Sequence, residues 1–269
     1  MGMEMHLLLL TLEFSGPFTV REFPWHQSVI RGIRFIPPST LSGFIRRILD
    51  SKMLKDNSFT PVYSDKEYQY YTLDYTKHLP FGAFVQHERE LSVHTAYRQG
   101  PRSFLHDRFS QLFDYGPAAT KLALPDLAEY QPHMWDYLLV DKMIGYVLTK
   151  APNEFDNIEN YGCKIGKNGY AYIGNKMMYP LNLKTKEDET IPQPYDMESN
   201  VPQNIDRVIL RCYSHLVSNG TVCGFKNFAI SFPKKPYKTR YVDANGIPIS
   251  LSVIEELGGE AWLNALLEG

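Results

Sequence analysis

The first pattern along the chain is a run with no helical spacing: His6 to Phe14 (HLLLLTLEF) is apolar at almost every position and ends at Gly16-Pro17. Apolar residues on successive positions predict a strand buried on both faces, the central strand of a sheet. Ser15 to Ile36 carries no sustained period, and Pro37-Pro38 stop any regular structure. Ser39 stands where a helix N-cap is wanted. Beyond it Leu41, Phe44, Ile45, Ile48 and Leu49 fall at i, i+3, i+4, i+7 and i+8, which is one apolar stripe. Arg46 and Arg47 point away from that stripe, and Gly43 lets something approach closely. Strand, basic loop and amphipathic helix open an α/β or α+β domain.

The middle reads as strands. Leu79 to Val93 and Trp135 to Thr149 are aromatic and β-branched, and Arg207 to Val217 with Thr221 to Phe232 flank Ser218-Asn219-Gly220, a hairpin turn signal. Between the first two, Ala96 to Pro132 is broken by Gly100-Pro101, Gly116-Pro117 and Pro125 into pieces too short for a core element, so it reads as an excursion. Lys184 to Asn204, acidic and rich in proline, reads as an exposed loop. A capping box at Ser252 and Glu255 predicts a C-terminal helix from about Ser252, interrupted at Gly258-Gly259. No internal repeat is visible.

Composition narrows the class. The chain has 269 residues, 43% hydrophobic, 22% charged and 13% aromatic, enough for one large core or two small domains. No window reaches the ~18 apolar residues of a membrane span. The N-terminus has no basic leader, and three cysteines (Cys163, Cys212, Cys223) form no CxxC pair, so a cytoplasmic protein without a disulfide framework or structural zinc is expected. The formal net charge of −2 excludes a wholly basic nucleic-acid binder but conceals segregation. Gly16 to Lys55 holds seven basic and two acidic residues, a net of +5; Lys226 to Tyr241 holds five basic residues and no acid; Lys184 to Asp206 sets six acids against two lysines. Such segregation suits a protein with one face toward phosphate, but on charge alone a solvated surface with chance clustering is the better reading.

No nucleophile elbow, Walker A loop, zinc-protease helix, EF-hand loop or dinucleotide fingerprint is present. The nearest glycine-rich stretch, Tyr161 to Tyr170 (YGCKIGKNGY), offers Lys164, Gly166 and Lys167; it reads equally as a phosphate cradle or as a tight turn with solvated lysines. No histidine stands at metal-ligand spacing, so neither metal nor cofactor is expected. His94 with Tyr97 and Arg98, or His106 with Arg102 and Arg108, has the chemistry of metal-independent RNA cleavage, but an RNA-positioning role is the better expectation. Rings interleaved with cations suit a flexible single strand, and Trp25 beside His26, in a segment with Arg21, Arg31 and Arg34, is the ring expected to meet a ligand.

The order of these pieces resembles the CRISPR-associated RAMP proteins, specifically the Cas five family. The matching stretches are LLLLTLEFSGPFTVREF, FIPPSTLSGFIRRIL, WDYLLVDKMIGYVL and YGCKIGKNGYAYI, in that order over about the first two thirds of the chain. The resemblance implies an α+β, ferredoxin-like (RRM/RAMP-type) core of residues 1–95 and 133–250 with an antiparallel sheet and an amphipathic first helix. A thumb-like excursion over 96–132 would project from it, and a helical tail would occupy 251–269. It also implies a non-catalytic subunit of a Cascade-like effector that caps the 5′ handle of crRNA, contacts the backbone RAMP and large subunits, and meets target DNA indirectly. The RNA-binding residues would be Arg21, Trp25, His26, Arg31, Arg34, Arg46, Arg47, Arg98, Arg102, Arg108, Lys164, Gly166 and Lys167. One branch of that family processes its guide with a Tyr, a Lys and a His; here Lys77-His78 precedes the thumb. The alternatives are a metal-independent endoribonuclease acting on repeat RNA and a nucleotide-binding α+β enzyme.

Overall fold

The computed structural model describes residues 5–20, 29–30, 32–53, 63–64, 69–70, 72–86, 88–101, 130–166, 168–181, 194–196, 206–213, 217–218, 221–222, 225–232 and 241–267. In chain order the elements are β1 (His6–Phe14), β2 (Val29–Ile30), α1 (Pro38–Met53), β3 (Tyr63–Ser64), β4 (Gln69–Tyr70), β5 (His78–Phe84), β6 (Ser92–Pro101), β7 (Tyr130–Leu139) and β8 (Lys142–Thr149). Then follow β9 (Gly162–Ile165), β10 (Gly169–Pro180), β11 (Pro194–Asp196), β12 (Asp206–Tyr213), β13 (Val217–Ser218), β14 (Thr221–Val222), β15 (Phe225–Phe232), β16 (Tyr241–Ala244) and β17 (Ile247–Ser250). Helices α2 (Leu251–Gly258) and α3 (Glu260–Leu267) end the chain.

Leu7, Leu8, Leu9 and Leu10 are all buried, so β1 has no solvent face along this stretch, and both its edges are paired: β8 on one side, β10 on the other, both antiparallel. The sheet runs β5-β8-β1-β10-β9. Counting β1, β5, β8 and β10 as first to fourth, the order is second, third, first, fourth, with α1 joining the first two strands and a third strand inserted between them. That is the split βαβ arrangement of a ferredoxin-like α+β fold.

Helix α1 begins at Pro38, whose missing N–H costs nothing at a first helical position, so Ser39 lies inside the first turn rather than at the cap. The stripe Leu41, Phe44, Ile45, Ile48 and Leu49 is buried, and Gly145 of β8 sits beneath Leu41: a Cβ there would lie 3.4 Å from Leu41 Cδ1. The helix contacts β5 and β9, the outer strands of the sheet, and so crosses its face rather than lying on β1 alone. Where a ferredoxin-like fold places its second helix, the chain has a 3-10 turn, Pro152–Phe155, with Phe155 and Ile158 fully buried.

Two expected strands are each divided. Leu79 to Val93 is β5, buried at every position, then a 3-10 turn at Glu88–Glu90, then the start of β6. The charged stretch cannot continue a strand whose every residue is buried. Trp135 to Thr149 is two strands of different sheets, parting at Val140-Asp141, where exposed Leu139 and Asp141 mark the exit from the core. β6 and β7 pair antiparallel from Ser92 opposite Leu139 to Pro101 opposite Tyr130, so paired arms extend into both ends of the Ala96 to Pro132 stretch. Residues 102–129 between the arms lie outside the described ones.

On either side of the Ser218-Asn219-Gly220 signal Ser218 pairs with Thr221 and Val217 with Val222, and β12 pairs antiparallel with β15; residues 219 and 220 lie outside the described ones. Within the expected loop Lys184 to Asn204, Pro194–Asp196 adds a short strand to β15; the rest lies outside the described residues. The tail is two helices parted at Gly259, whose φ of +71° ends α2 with a Gly259 N–H to Glu255 carbonyl bond. Trp262 of α3 donates its indole N–H to the Tyr75 carbonyl at 2.8 Å, tying the tail to the segment before β5.

The packing fixes an expectation for α1. Phe44→Ala should cost about 3 to 5 kcal/mol by leaving a cavity under the helix, and exposed Arg47→Ala under about 1 kcal/mol. Denaturant unfolding of both variants checks this; equal losses would mean that another face carries the packing.

Candidate nucleic-acid interface

Three segments far apart in sequence meet beside the root of the β6–β7 hairpin. Phe18 and Leu138 exchange backbone hydrogen bonds at 3.1 and 2.7 Å, and β2 runs parallel to β7 with Val29 opposite Met134 and Ile30 opposite Trp135. Asp136 joins the pieces: its carboxylate accepts from the Gly32 N–H at 3.2 Å and the Thr95 hydroxyl at 2.7 Å, and its carbonyl accepts from the Thr19 hydroxyl at 2.9 Å. Phe18, Thr19, Val29, Ile30 and Gly32 of the opening segment are thereby held beside the hairpin.

The third segment is the glycine-rich stretch, which forms the β9–β10 hairpin with Gly166 (φ +57°) and Asn168 (φ +63°) in its turn. A Cβ on Gly166 would stand 2.5 Å from the Thr19 carbonyl oxygen. On Gly169 it would meet Ile165 O at 2.6 Å and, closer still, Phe18 Cβ; on Gly162 it would lie 2.6 Å from Ala171 O. The close approach that demands these glycines is made by the protein's own backbone. Beside Gly166 the space read as a phosphate cradle is filled by Thr19.

Arg34 and Arg47 are exposed. Arg46 is held by Asp50 one turn on, at 2.9 Å. Lys164 is exposed on β9, directly opposite Tyr170. Arg98 lies on β6 opposite His133. Arg21, Trp25, His26, Arg31, Arg102, Arg108 and Lys167 lie outside the described residues, as does His106. Register puts His94 opposite Tyr137 and Ala96 opposite Trp135, alternate positions and hence one face of the hairpin, where an imidazole, a phenol and an indole stand together. The sequence reading missed Asp136, and on the sheet it missed Tyr170, Tyr172, Glu13 and Lys142. The signal available was the alternation of rings in Tyr170-Ala171-Tyr172.

His78, the residue a guide-processing reading would use, is 1% exposed and engaged at both ring nitrogens. Its Nε2 is 2.9 Å from Glu154, which can only accept, so Nε2 carries the proton; Nδ1, 2.9 Å from the Thr149 hydroxyl, then accepts from it. Thr149 in turn accepts from the Ala151 N–H, Lys77 holds the other Glu154 oxygen at 2.8 Å, and Phe155 meets the imidazole edge-on. The cluster fastens the 3-10 turn to β5 and β8. Burial pushes the imidazole below its ordinary value, against the opposing pull of the Glu154 hydrogen bond. Burial also disfavours the charge on Glu154, but hydrogen bonds from Lys77 and His78 outweigh it and hold that carboxyl below its ordinary value. Cys163, half-buried against α1, is pushed up to about 11 by burial and is a poor nucleophile at neutral pH. Among the described residues no group of three His, Cys, Asp or Glu could hold a metal ion, and no helix is long and apolar enough to cross a membrane.

No protein-family model and no curated protein matches the chain. Among solved structures it is similar to a CRISPR protein from Archaeoglobus fulgidus, at 10% identity and a TM-score of 0.41, over 90% of this chain and 97% of that one. It is also similar to a chain of the type III-B Cmr-beta complex bound to cognate target RNA, at 12% identity and a TM-score of 0.39, over 87% and 86% of the two chains.

Two outcomes are expected. The unfolded chain titrates His78 near ~6.5 and Glu154 near ~4.3, above their folded values, so it binds more protons and stability falls on acidification. The His78 contribution is complete above about pH 6.5 and is lost as the pH falls through the lower folded value; that of Glu154 is lost below about pH 4.3. Denaturant midpoints followed from about pH 7.5 to about pH 5 should decline in the wild type and decline less in His78→Leu, and equal slopes would remove His78 as the source. Separately, Gly166→Val should lower the melting temperature, because its Cβ meets the Thr19 carbonyl and its φ is positive. A wild-type melting curve would show that the turn has room to spare.

Proposed function

We propose that this chain is the crRNA-binding subunit of a CRISPR Cascade-like effector, a non-enzymatic member that holds the 5′ handle of the guide and contacts the backbone and large subunits. The observation that carries the reading is the meeting at Asp136 and Thr19. The opening segment, the end of β7 and the β9–β10 turn, each within a stretch that carries the sequence resemblance, meet beside a ferredoxin-like core. The hairpin leaves the core between the second and third strands of the fold and bears the rings of His94, Trp135 and Tyr137 on one face, which suits a flexible strand whose bases stack.

The endoribonuclease reading has one observation in its favour: exposed His94 stands opposite Tyr137, so an imidazole and a phenol share a face. The two readings separate in one experiment. The purified chain, incubated with repeat RNA in EDTA, should bind it and leave it intact, and Arg34→Ala should weaken binding across sequences and lower the salt slope by about one. Specific cleavage that His94→Ala abolishes would overturn the non-enzymatic reading; failure to bind any RNA would overturn both.

A further inference from the structure

Helix α1 and the Pro152–Phe155 turn lie on one face of the five-stranded sheet, and at the β9 edge the opposite face is exposed. Register sets a row across it. Lys142 of β8, Glu13 of β1, Tyr172 of β10 and Gly162 of β9 are successive cross-strand partners. One step toward the turn, Tyr170 stands opposite Lys164, and because Tyr170 and Tyr172 are two residues apart they share this face. It is the reverse of the face on which Phe18 packs against Gly169. Tyr170 is 51% exposed, and both lysines are exposed.

The rings are positioned by their surroundings. Tyr172 donates its hydroxyl to Glu13 at 2.5 Å, and Lys142 holds the other oxygen of that carboxylate at 3.0 Å, so the Tyr172 ring is pinned and the carboxylate charge is answered. Gly162 leaves room for Tyr170: a Cβ there would lie 3.0 Å from Tyr170 Cε1 and 2.8 Å from Tyr172 Cβ, so the Tyr170 ring leans across the bare strand toward its neighbour. Residues at i and i+2 are about 6.7 Å apart along the strand backbone, roughly twice the spacing of stacked bases. Bases that occupy both must be unstacked from one another, which a single strand permits and a duplex does not.

We infer that this face is a stacking platform for two adjacent unpaired bases of a single RNA strand, with Tyr170 and Tyr172 taking the bases and Lys164 and Lys142 the backbone phosphates. The inference rests on the RNA-binding reading above and adds to it a surface on the other side of the sheet from the Phe18 contact. Rings accept any base, so the platform supplies affinity without sequence choice, and it prefers single-stranded over duplex RNA.

The test uses the full chain, a fluorescein-labelled single-stranded RNA of mixed sequence and a duplex of the same length. Tyr170→Ala should weaken single-strand binding about tenfold with duplex binding unchanged, while Tyr170→Phe, which keeps the ring, should stay within about twofold of wild type. Photo-crosslinking with iodouridine-substituted RNA should mark the peptide containing Tyr170 and Tyr172. Wild-type affinity in Tyr170→Ala, equal weakening for single-strand and duplex, or a change of oligomeric state in place of an RNA effect would each overturn the platform. If Tyr170→Ala is silent while Arg34→Ala weakens binding, the platform falls and the RNA-binding reading stands; if the wild type binds neither RNA, both fall.

Discussion

The fold depends on one constraint, that β1 has neither a free edge nor, over Leu7 to Leu10, a free face. Its hydrogen bonds go to β8 on one side and β10 on the other, and its leucines fill the core above and below. A strand in that position cannot pair with the next strand in sequence, because its edges are taken by strands that come later. The chain leaves through α1, crosses the face and returns as β5 beyond the place β8 will fill. Such long-range pairing must be closed against loop entropy, and burying apolar side chains on both faces of the central strand is what offsets that cost.

The second consequence concerns what projects. A ferredoxin-like fold needs β5 and β8 to be neighbours but leaves the connection between them free, and this chain places its β6–β7 hairpin there. A hairpin alone is marginal in water. This one is braced at its base by a third strand, β2, and by Asp136, whose carboxylate and carbonyl hold Gly32, Thr95 and Thr19. The bracing strand comes from the opening segment, so the contacts that stiffen the hairpin also place Val29, Ile30 and Gly32 of that segment. On the other side, the missing second helix is replaced by a short turn that could not hold its place by helical hydrogen bonds. The Lys77–Glu154–His78–Thr149 chain holds it instead.

The legible parts of the sequence were those where a single physical demand acts. Burial on both faces leaves the unbroken run His6 to Phe14, and burial on one face of a helix leaves the stripe from Leu41 to Leu49. The antiparallel pairing of β12 with β15 could be read from the turn signal between them. The parting of β7 from β8 was not legible, because apolar residues continue through Val140 and only the change of sheet divides the strands. The glycines at 162, 166 and 169 were ambiguous for a deeper reason. A residue that must admit a phosphate and one that must admit a carbonyl are both glycine, and only the fold shows Ala171 beside Gly162, Thr19 beside Gly166 and Phe18 beside Gly169. Tyr170 and Tyr172 were hidden in the same way, since rings in a strand ordinarily belong to a core.

Charge then decides how this chain could hold a polyanion. With a formal net charge of −2 the chain as a whole has no long-range attraction for RNA, so on the proposed platform its cations would have to act from close by, as exposed Lys142 and Lys164 would. Local cations alone yield weak and salt-sensitive binding. Glu13 would weaken it further if it stood free, yet it is answered by Lys142 and used to fix Tyr172, so the carboxylate costs little field and orders a ring. An overall acidic protein gains more from such a ring than from another lysine, because stacking is not screened by salt and needs no counterion release. On the proposed platform the aromatic side chains would therefore be the larger source of RNA affinity, with the lysines setting where the strand runs.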